Sequence, residues 1–315
     1  MARQKPRHNS QRVGFGFRRA PAAFGDQPAL MRVIDHDGSE EAMQMTKISI
    51  KTSHGSIAIA ETGGEGIPLV MLHANSLSKE GFRPQIEALR DVRRVIAVDL
   101  PGHGDSSNAI DPRRTYNIPG YADAIKEALA AIEVQRFVVL GHSLGGHVAL
   151  EMIAVGAGVA GVMIFGTPPV ANTAEGLQSG FIPGPDMEYT GKPELSAAEV
   201  SKVVTLAVGQ AADKDGFFSS VVRRTDGLAR QYMIEAALAG KGSNQRQVIE
   251  TTMVPLAVVN GEDDPVVNLD YVDSLSYANL WTNKPLRIPG AGHAPHREKS
   301  KQFNEILIRF LSEMA

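Results

Sequence analysis

Phe137-Val138-Val139-Leu140-Gly141-His142-Ser143-Leu144-Gly145-Gly146 is the stretch that decides the fold. Four apolar residues in a row, two of them valine, read as a strand buried on both faces. A G-x-S-x-G turn follows, and residues 146–155 continue as a helix. A serine placed between such a strand and such a helix sits on a turn tight enough to lift its Oγ above the sheet, at the cost of a strained backbone. Gly141 and Gly145 carry no Cβ, so strand and helix can approach each other closely. The helix N-terminus behind the turn offers N–H groups and the positive end of a dipole to developing negative charge. Ser143 is therefore the candidate nucleophile.

The pattern repeats outward from that turn. Continuous apolar runs recur at 68–72, 95–98, 162–165 and 256–259, with a weaker one at 286–288. Helical stretches at about 79–90, 119–133, 144–155, 268–278 and 298–313 lie between or after them. Upstream, Lys47-Ile48-Ser49-Ile50-Lys51 and Ser56-Ile57-Ala58-Ile59-Ala60 alternate strictly around His54-Gly55, which predicts an antiparallel hairpin with one wet face. The expectation is an α/β fold, an eight-stranded and mostly parallel sheet with helices on both faces.

One interval breaks the rhythm. Residues 168–252 open on Pro168-Pro169, pass through a Gly/Pro-rich loop at 180–191, and offer helical candidates at 196–208 and 228–239. A structureless loop of that length is unfavourable in a compact domain, so a helical cap inserted into a core of 46–167 and 253–315 is expected. Residues 1–45 read as an extension. They carry seven basic side chains against Asp26 alone in the first 32 positions, and no apolar period long enough to bury. A disordered tail fits them, as does an upstream start with Met43 or Met45 as the true one; a mitochondrial-type transit peptide is also Arg-rich and acid-poor.

Composition narrows the chemistry. The chain has 315 residues, no Cys, and a formal net charge of −3. Without Cys there is no thiol nucleophile and no Cys-ligated zinc or iron–sulfur site. The charge balance argues against nucleic acid as a partner. No H-x-H or H-E-x-x-H pair is present, and Gly63-Gly64-Glu65-Gly66 lacks a strand–helix context, so neither a metal nor a dinucleotide cofactor is expected. No run of about 18 apolar residues and no apolar signal region occur, so no membrane partner is expected and the cytoplasm is the expected location. Oligomeric state is not legible.

A serine hydroxyl needs a positioned base. Of nine histidines, His293 stands after the last apolar run and before the last helix, in the Gly-rich loop Pro289-Gly290-Ala291-Gly292-His293-Ala294-Pro295. His296 already heads into the helix. Chain order then calls for a carboxylate between Ser143 and His293, just past a strand. Glu262, Asp263 and Asp264 compete there. Asp264 is favoured, because Pro265 holds it extended. Its role is to fix the His293 tautomer and to balance the imidazolium. Developing charge on a substrate oxygen needs two N–H donors. Leu144, next to the nucleophile, is one; Asn75, in the loop Met71-Leu72-His73-Ala74-Asn75-Ser76, is the other candidate. Asp99-Leu100-Pro101-Gly102-His103-Gly104-Asp105-Ser106 is a turn-rich scaffold, with Asp99 and Asp105 read as anchors for backbone N–H groups.

In that order, the stretches at 73–76, 99–106, 141–147, 261–265 and 290–296 resemble the α/β-hydrolase superfamily. A closer resemblance runs through the insertion. Gly166-Thr167-Pro168-Pro169-Val170, Gly184-Pro185-Asp186-Met187, Arg224-Thr225-Asp226-Gly227 and Asn244-Gln245-Arg246 look like the metal-independent N-acyl-homoserine lactonases of that fold. The resemblance covers about 270 residues and implies hydrolysis of a lactone or other carboxylic ester through an acyl-enzyme on a small-molecule substrate. Three departures are visible: Ala74 stands where Gly is usual, His142 where those lactonases have an aromatic residue, and Asp264 where they have Glu. On this reading His142, Phe181, Met187 and Tyr189 are expected to contact the substrate. The same triad also serves cofactor-free perhydrolysis or haloperoxidation and C–C bond hydrolysis, and a ligand receptor can retain it without turnover.

Overall fold

The computed structural model describes residues 30–34, 40–209, 213 and 215–314, with side chains from Met45 onward. Ten strands are present among them. β1 (Leu30–Ile34) and β2 (Glu40–Gln44) pair with each other as a separate antiparallel ladder. Of the rest of the expected extension only Met45, which is buried, is among the described residues.

The remaining strands are β3 (Thr46–Thr52), β4 (Gly55–Glu61), β5 (Leu69–Leu72), β6 (Val95–Val98), β7 (Phe137–His142), β8 (Val159–Phe165), β9 (Leu256–Gly261) and β10 (Leu286–Ile288). They form one sheet in the order β10-β9-β8-β7-β5-β6-β4-β3. β4 runs antiparallel to both of its neighbours, and every other pair is parallel. This is the α/β fold expected from the sequence, with eight strands.

The apolar runs are continuous because each strand is covered on both sides. Val70, Leu72 and Val139 pack into one layer with Ile125, Leu129 and Val148. The intervening Leu69, Met71 and Val138 point the other way, onto Phe303, Leu307 and Phe310. Alternate residues of one run thus serve two cores, as the two-residue side-chain period of a strand requires. The hairpin differs in part from expectation. β3 is the sheet edge and is largely exposed, but Ile57–Ala60 of β4 are buried, because β4 is inserted between β3 and β6.

Between β8 and β9 the chain is helical. Ala197–Val208 and Gly227–Leu238 coincide with the two expected candidates. Ala174–Gly180, Phe217–Arg224 and Gln245–Thr251 are additional helices, and Met187–Gly191 is a 3-10 turn. Successive connections run from β5 to β6 on one side and from β6 across to β7 on the other. The strand order therefore reverses between β5 and β7, and in open α/β sheets that reversal opens a crevice at the carboxyl ends of the strands.

Candidate active site

Ser143 occupies that crevice. It caps the helix Leu144–Ala154 with φ 51° and ψ −113°, one of three non-glycine residues with positive φ among those described. The turn is pinned by Ser143 N–H donating to the Phe165 carbonyl at 2.9 Å. Why a small residue must follow is plain at Gly145: a Cβ there would lie 2.0 Å from the Leu72 carbonyl oxygen of β5. The strained serine is held because strand, turn and helix leave it no other conformation.

His293 stands across from it. Its Nδ1 lies 2.9 Å and 3.0 Å from the two carboxylate oxygens of Asp264. The ring rests on Gly166, where a Cβ would come within 2.7 Å of the imidazole. Asp264 is buried, whereas its rival Asp263 is exposed. Asp264 Oδ1 also accepts the N–H groups of Val266 and Val267, at 2.8 Å and 3.1 Å. Burial alone would raise the Asp264 carboxyl; the facing His293 and the two N–H donors outweigh it and hold the group below the ordinary carboxylate range. His296, the alternative base, is buried against Phe82, Phe165 and Phe303 and does not border the cavity.

Leu144 and Asn75 both border the same cavity as Ser143. As first residue of its helix, Leu144 has no intrahelical acceptor for its N–H. The Asn75 side chain reaches out of the core: Nδ2 donates to the Thr190 carbonyl at 2.8 Å. The loop carrying Asn75 is braced from behind. His73 Nδ1 donates to the Ala74 carbonyl at 2.8 Å, and its Nε2 accepts the Leu100 N–H at 3.0 Å.

The Asp99–Asp105 scaffold is built around a group that sequence reading passed over. Lys79 is buried, and its ammonium donates to Asp99 at 2.6 Å and to Asp105 at 2.8 Å. Asp99 anchors two backbone N–H groups as expected, those of Lys79 and Asp105. Asp105, expected to do the same, instead faces the ammonium. Burial works against a charged lysine, but Asp99 and Glu80 overcome it and raise the Lys79 pKa.

The cavity measures about 710 Å³ and is walled mainly by apolar side chains of the 168–252 segment. Phe181 and Met187 line it. Two other residues expected at the substrate do not. His142 is buried, its ring stacked on Phe165 at 4.7 Å and 9°, because as the last residue of β7 it points into the layer under the site. Tyr189 packs beside the 197–208 helix with Lys202 5.3 Å over its ring, and its neighbour Thr190 faces the cavity. Conversely, His147 and Gln245 line the cavity and are bonded to each other, Nδ1 to Oε1 at 2.7 Å. Their signal was available: a residue four past the nucleophile lies on the same helix face. Burial, only partly offset by the Gln245 contact, pushes the His147 pKa down to about 4.

The one grouping of possible metal ligands found among the described residues, His54, Asp123 and Glu127, does not border this cavity, and the Arg114 guanidinium stands 3.2 Å from His54 Nε2. No helix among the described residues is long and apolar enough to cross a membrane.

Known proteins share this fold. Residues 69–306 match the model of an alpha/beta hydrolase family. A mutant of the N-acyl homoserine lactonase AidH, solved in complex with N-hexanoyl homoserine, superposes with a TM-score of 0.82 at 43% identity, over 86% of this chain and 98% of that chain. A 2-hydroxy-6-oxononadienedioate/2-hydroxy-6-oxononatrienedioate hydrolase from Pseudomonas sp is 25% identical over 90% of this chain and its own full length. A non-heme chloroperoxidase from Kitasatospora aureofaciens is 26% identical over 79% of this chain and 94% of its own. With the strained serine, the sheet order and the family match in agreement, the chain belongs to the α/β-hydrolase family.

Proposed function

We propose that this chain is a serine hydrolase that opens the lactone ring of N-acyl homoserine lactones, and so quenches signalling by them. The observation that carries the reading is the cavity: a mainly apolar chamber of about 710 Å³ lined by both Ser143 and the Asp264-paired His293. A short ester needs no such chamber. An acyl chain gains roughly 0.8 kcal/mol for each CH₂ it buries. The likeness to AidH supports the same substrate class.

The chemistry follows from the residues. Ser143 Oγ attacks the lactone carbonyl while His293 Nε2 takes its proton. Asp264 keeps the other ring proton on Nδ1 and balances the imidazolium. The N–H groups of Leu144 and Asn75 receive the developing oxyanion; one such donor is worth about 3 kcal/mol in the transition state. The carbonyl–oxygen bond then breaks, and His293 returns the proton to the departing alkoxide. That alcohol stays tethered to the acyl group on Ser143, so ring closure competes with water. Water, deprotonated by His293, attacks the acyl-enzyme and releases the N-acyl homoserine acid.

The test is a purified-enzyme assay with N-hexanoyl homoserine lactone. Repeated turnover should release one proton per ring opened and yield a product heavier by one water. Turnover of p-nitrophenyl esters with the lactone left intact would replace the lactonase reading with a carboxylesterase one. A single slow turnover would mark a receptor.

A further inference from the structure

His147 stands one helical turn beyond Ser143 in the wall of the cavity. Its two ring nitrogens are not equivalent. Nδ1 meets Gln245 Oε1 at 2.7 Å. The amide is oriented independently: Gln245 Nε2 donates to the His147 carbonyl at 3.4 Å, and the Gln245 backbone N–H donates to the Val170 carbonyl at 3.0 Å. A carbonyl oxygen only accepts, so Nδ1 carries the ring proton and Nε2 keeps a lone pair. Among the described residues no donor meets that nitrogen. The Phe181 ring lies 6.0 Å from the imidazole, centroid to centroid, and the cavity wall is mainly apolar. An acceptor left without a partner in such a wall loses stabilisation that a donor on a ligand would restore.

We infer that His147 Nε2 accepts a hydrogen bond from the amide N–H of the substrate, and so selects lactones bearing an acylamino group over plain lactones and esters. The inference rests on the lactonase reading of the site. In an N-acyl homoserine lactone the amide nitrogen is bonded to the carbon beside the carbonyl that Ser143 attacks. The reacting carbon and the amide nitrogen are therefore two bonds apart, a short span that suits two cavity-lining residues joined through the backbone, where the His147 N–H donates to the Ser143 carbonyl at 3.1 Å. A substrate oxygen in place of the N–H sets lone pair against lone pair, so the same nitrogen rejects as well as selects. Gln245 is a positioning residue: it holds the proton on the far side of the ring.

The test compares N-hexanoyl homoserine lactone with its oxyester analogue, in which oxygen replaces the amide N–H. The readout is the ratio of the two kcat/KM values on one preparation, which cancels any difference in folded fraction. The wild-type ratio should favour the amide by about tenfold. His147→Phe should bring the ratio close to one. His147→Gln, which offers a side-chain carbonyl, should restore part of the preference. Gln245→Leu frees the tautomer and should lower the ratio without touching the imidazole itself. A wild-type ratio near one, or a ratio unchanged in both His147→Phe and Gln245→Leu, overturns the inference while lactone turnover stands. Failure of the wild type to open either lactone removes the lactonase reading and this inference with it.

Discussion

His142 Nε2 donates to the main-chain carbonyl of His293 at 2.9 Å, so the residue before the nucleophile holds the loop that carries the proposed base. A carbonyl cannot donate, which fixes the proton on Nε2. Burial, and then the neighbouring His296 and His293 rings, push the His142 pKa well below the ordinary imidazole value and keep the ring neutral. His142→Phe preserves the stack on Phe165 but leaves a buried carbonyl unpaired. Stability should fall by about 1–3 kcal/mol. With the base less firmly placed, kcat should fall several-fold with KM little changed. Denaturant unfolding and steady-state kinetics read the two effects, and a variant equal to wild type in both would show that the bond positions nothing.

Ser143→Ala and His293→Ala should each abolish nearly all turnover, and the double variant should be little worse, because such residues act as a unit. Asp264→Asn should retain its bonds from Val266 and Val267 through the amide oxygen while presenting an NH₂ to His293. That reverses the imidazole tautomer, and kcat should drop about 10⁴-fold in a folded protein. Strong residual hydrolysis in Ser143→Ala would end the serine mechanism.

The depressed Asp264 carboxyl also predicts an acid limit to stability. In the unfolded chain the group regains its ordinary pKa of 3.8, so the unfolded state binds the proton first as pH falls. The stabilisation is complete above that value and is lost as pH drops through the lower folded one. Melting temperatures of wild type and Asp264→Asn should differ by a constant amount near neutral pH and converge below about pH 4. A gap that widens on acidification would contradict the assignment.

Phe181→Ala and Met187→Ala address the apolar wall. Each CH₂ buried by a substrate contributes roughly 0.8 kcal/mol, about a fourfold step in kcat/KM. Wild-type kcat/KM should climb with acyl length until the chamber is full, and both truncations should flatten that climb more than they slow acetyl esters. Equal losses on short and long chains would make these residues purely structural.

Lys79→Met tests the buried ion cluster. Asp99 is fully buried, so loss of the ammonium strands a charge, with an expected cost of about 3–5 kcal/mol. Adding Asp99→Asn should recover part of that loss. If the double variant unfolds at lower denaturant than Lys79→Met alone, the coupling is not electrostatic.

What the sequence disclosed follows from what leaves a local trace. The runs of β5 to β9 are legible because burial on both faces removes polar residues altogether, and the serine turn because close backbone approach leaves glycine as the only choice at 145. Side-chain direction leaves no such trace. His142 and Tyr189 sit beside residues that do face the cavity, yet one ends a strand pointing downward and the other turns outward on a 3-10 segment. The helices Ala174–Gly180 and Phe217–Arg224 were missed because they are short. The first contains two glycines and starts from a Thr173 side-chain cap, and the second follows a left-handed Gly216. Lys79 gave no hint, since its carboxylate partners lie 20 and 26 residues away and only the folded loop gathers them.

The 2.8 Å bond from Asn75 to the Thr190 carbonyl joins the two halves of the chamber, one end in the loop after β5 and the other in its roof. The loop that carries Asn75 is therefore fixed from both sides, by the roof through Thr190 and by the core through His73, so a change in the 187–191 segment is felt at the residue proposed as an oxyanion donor.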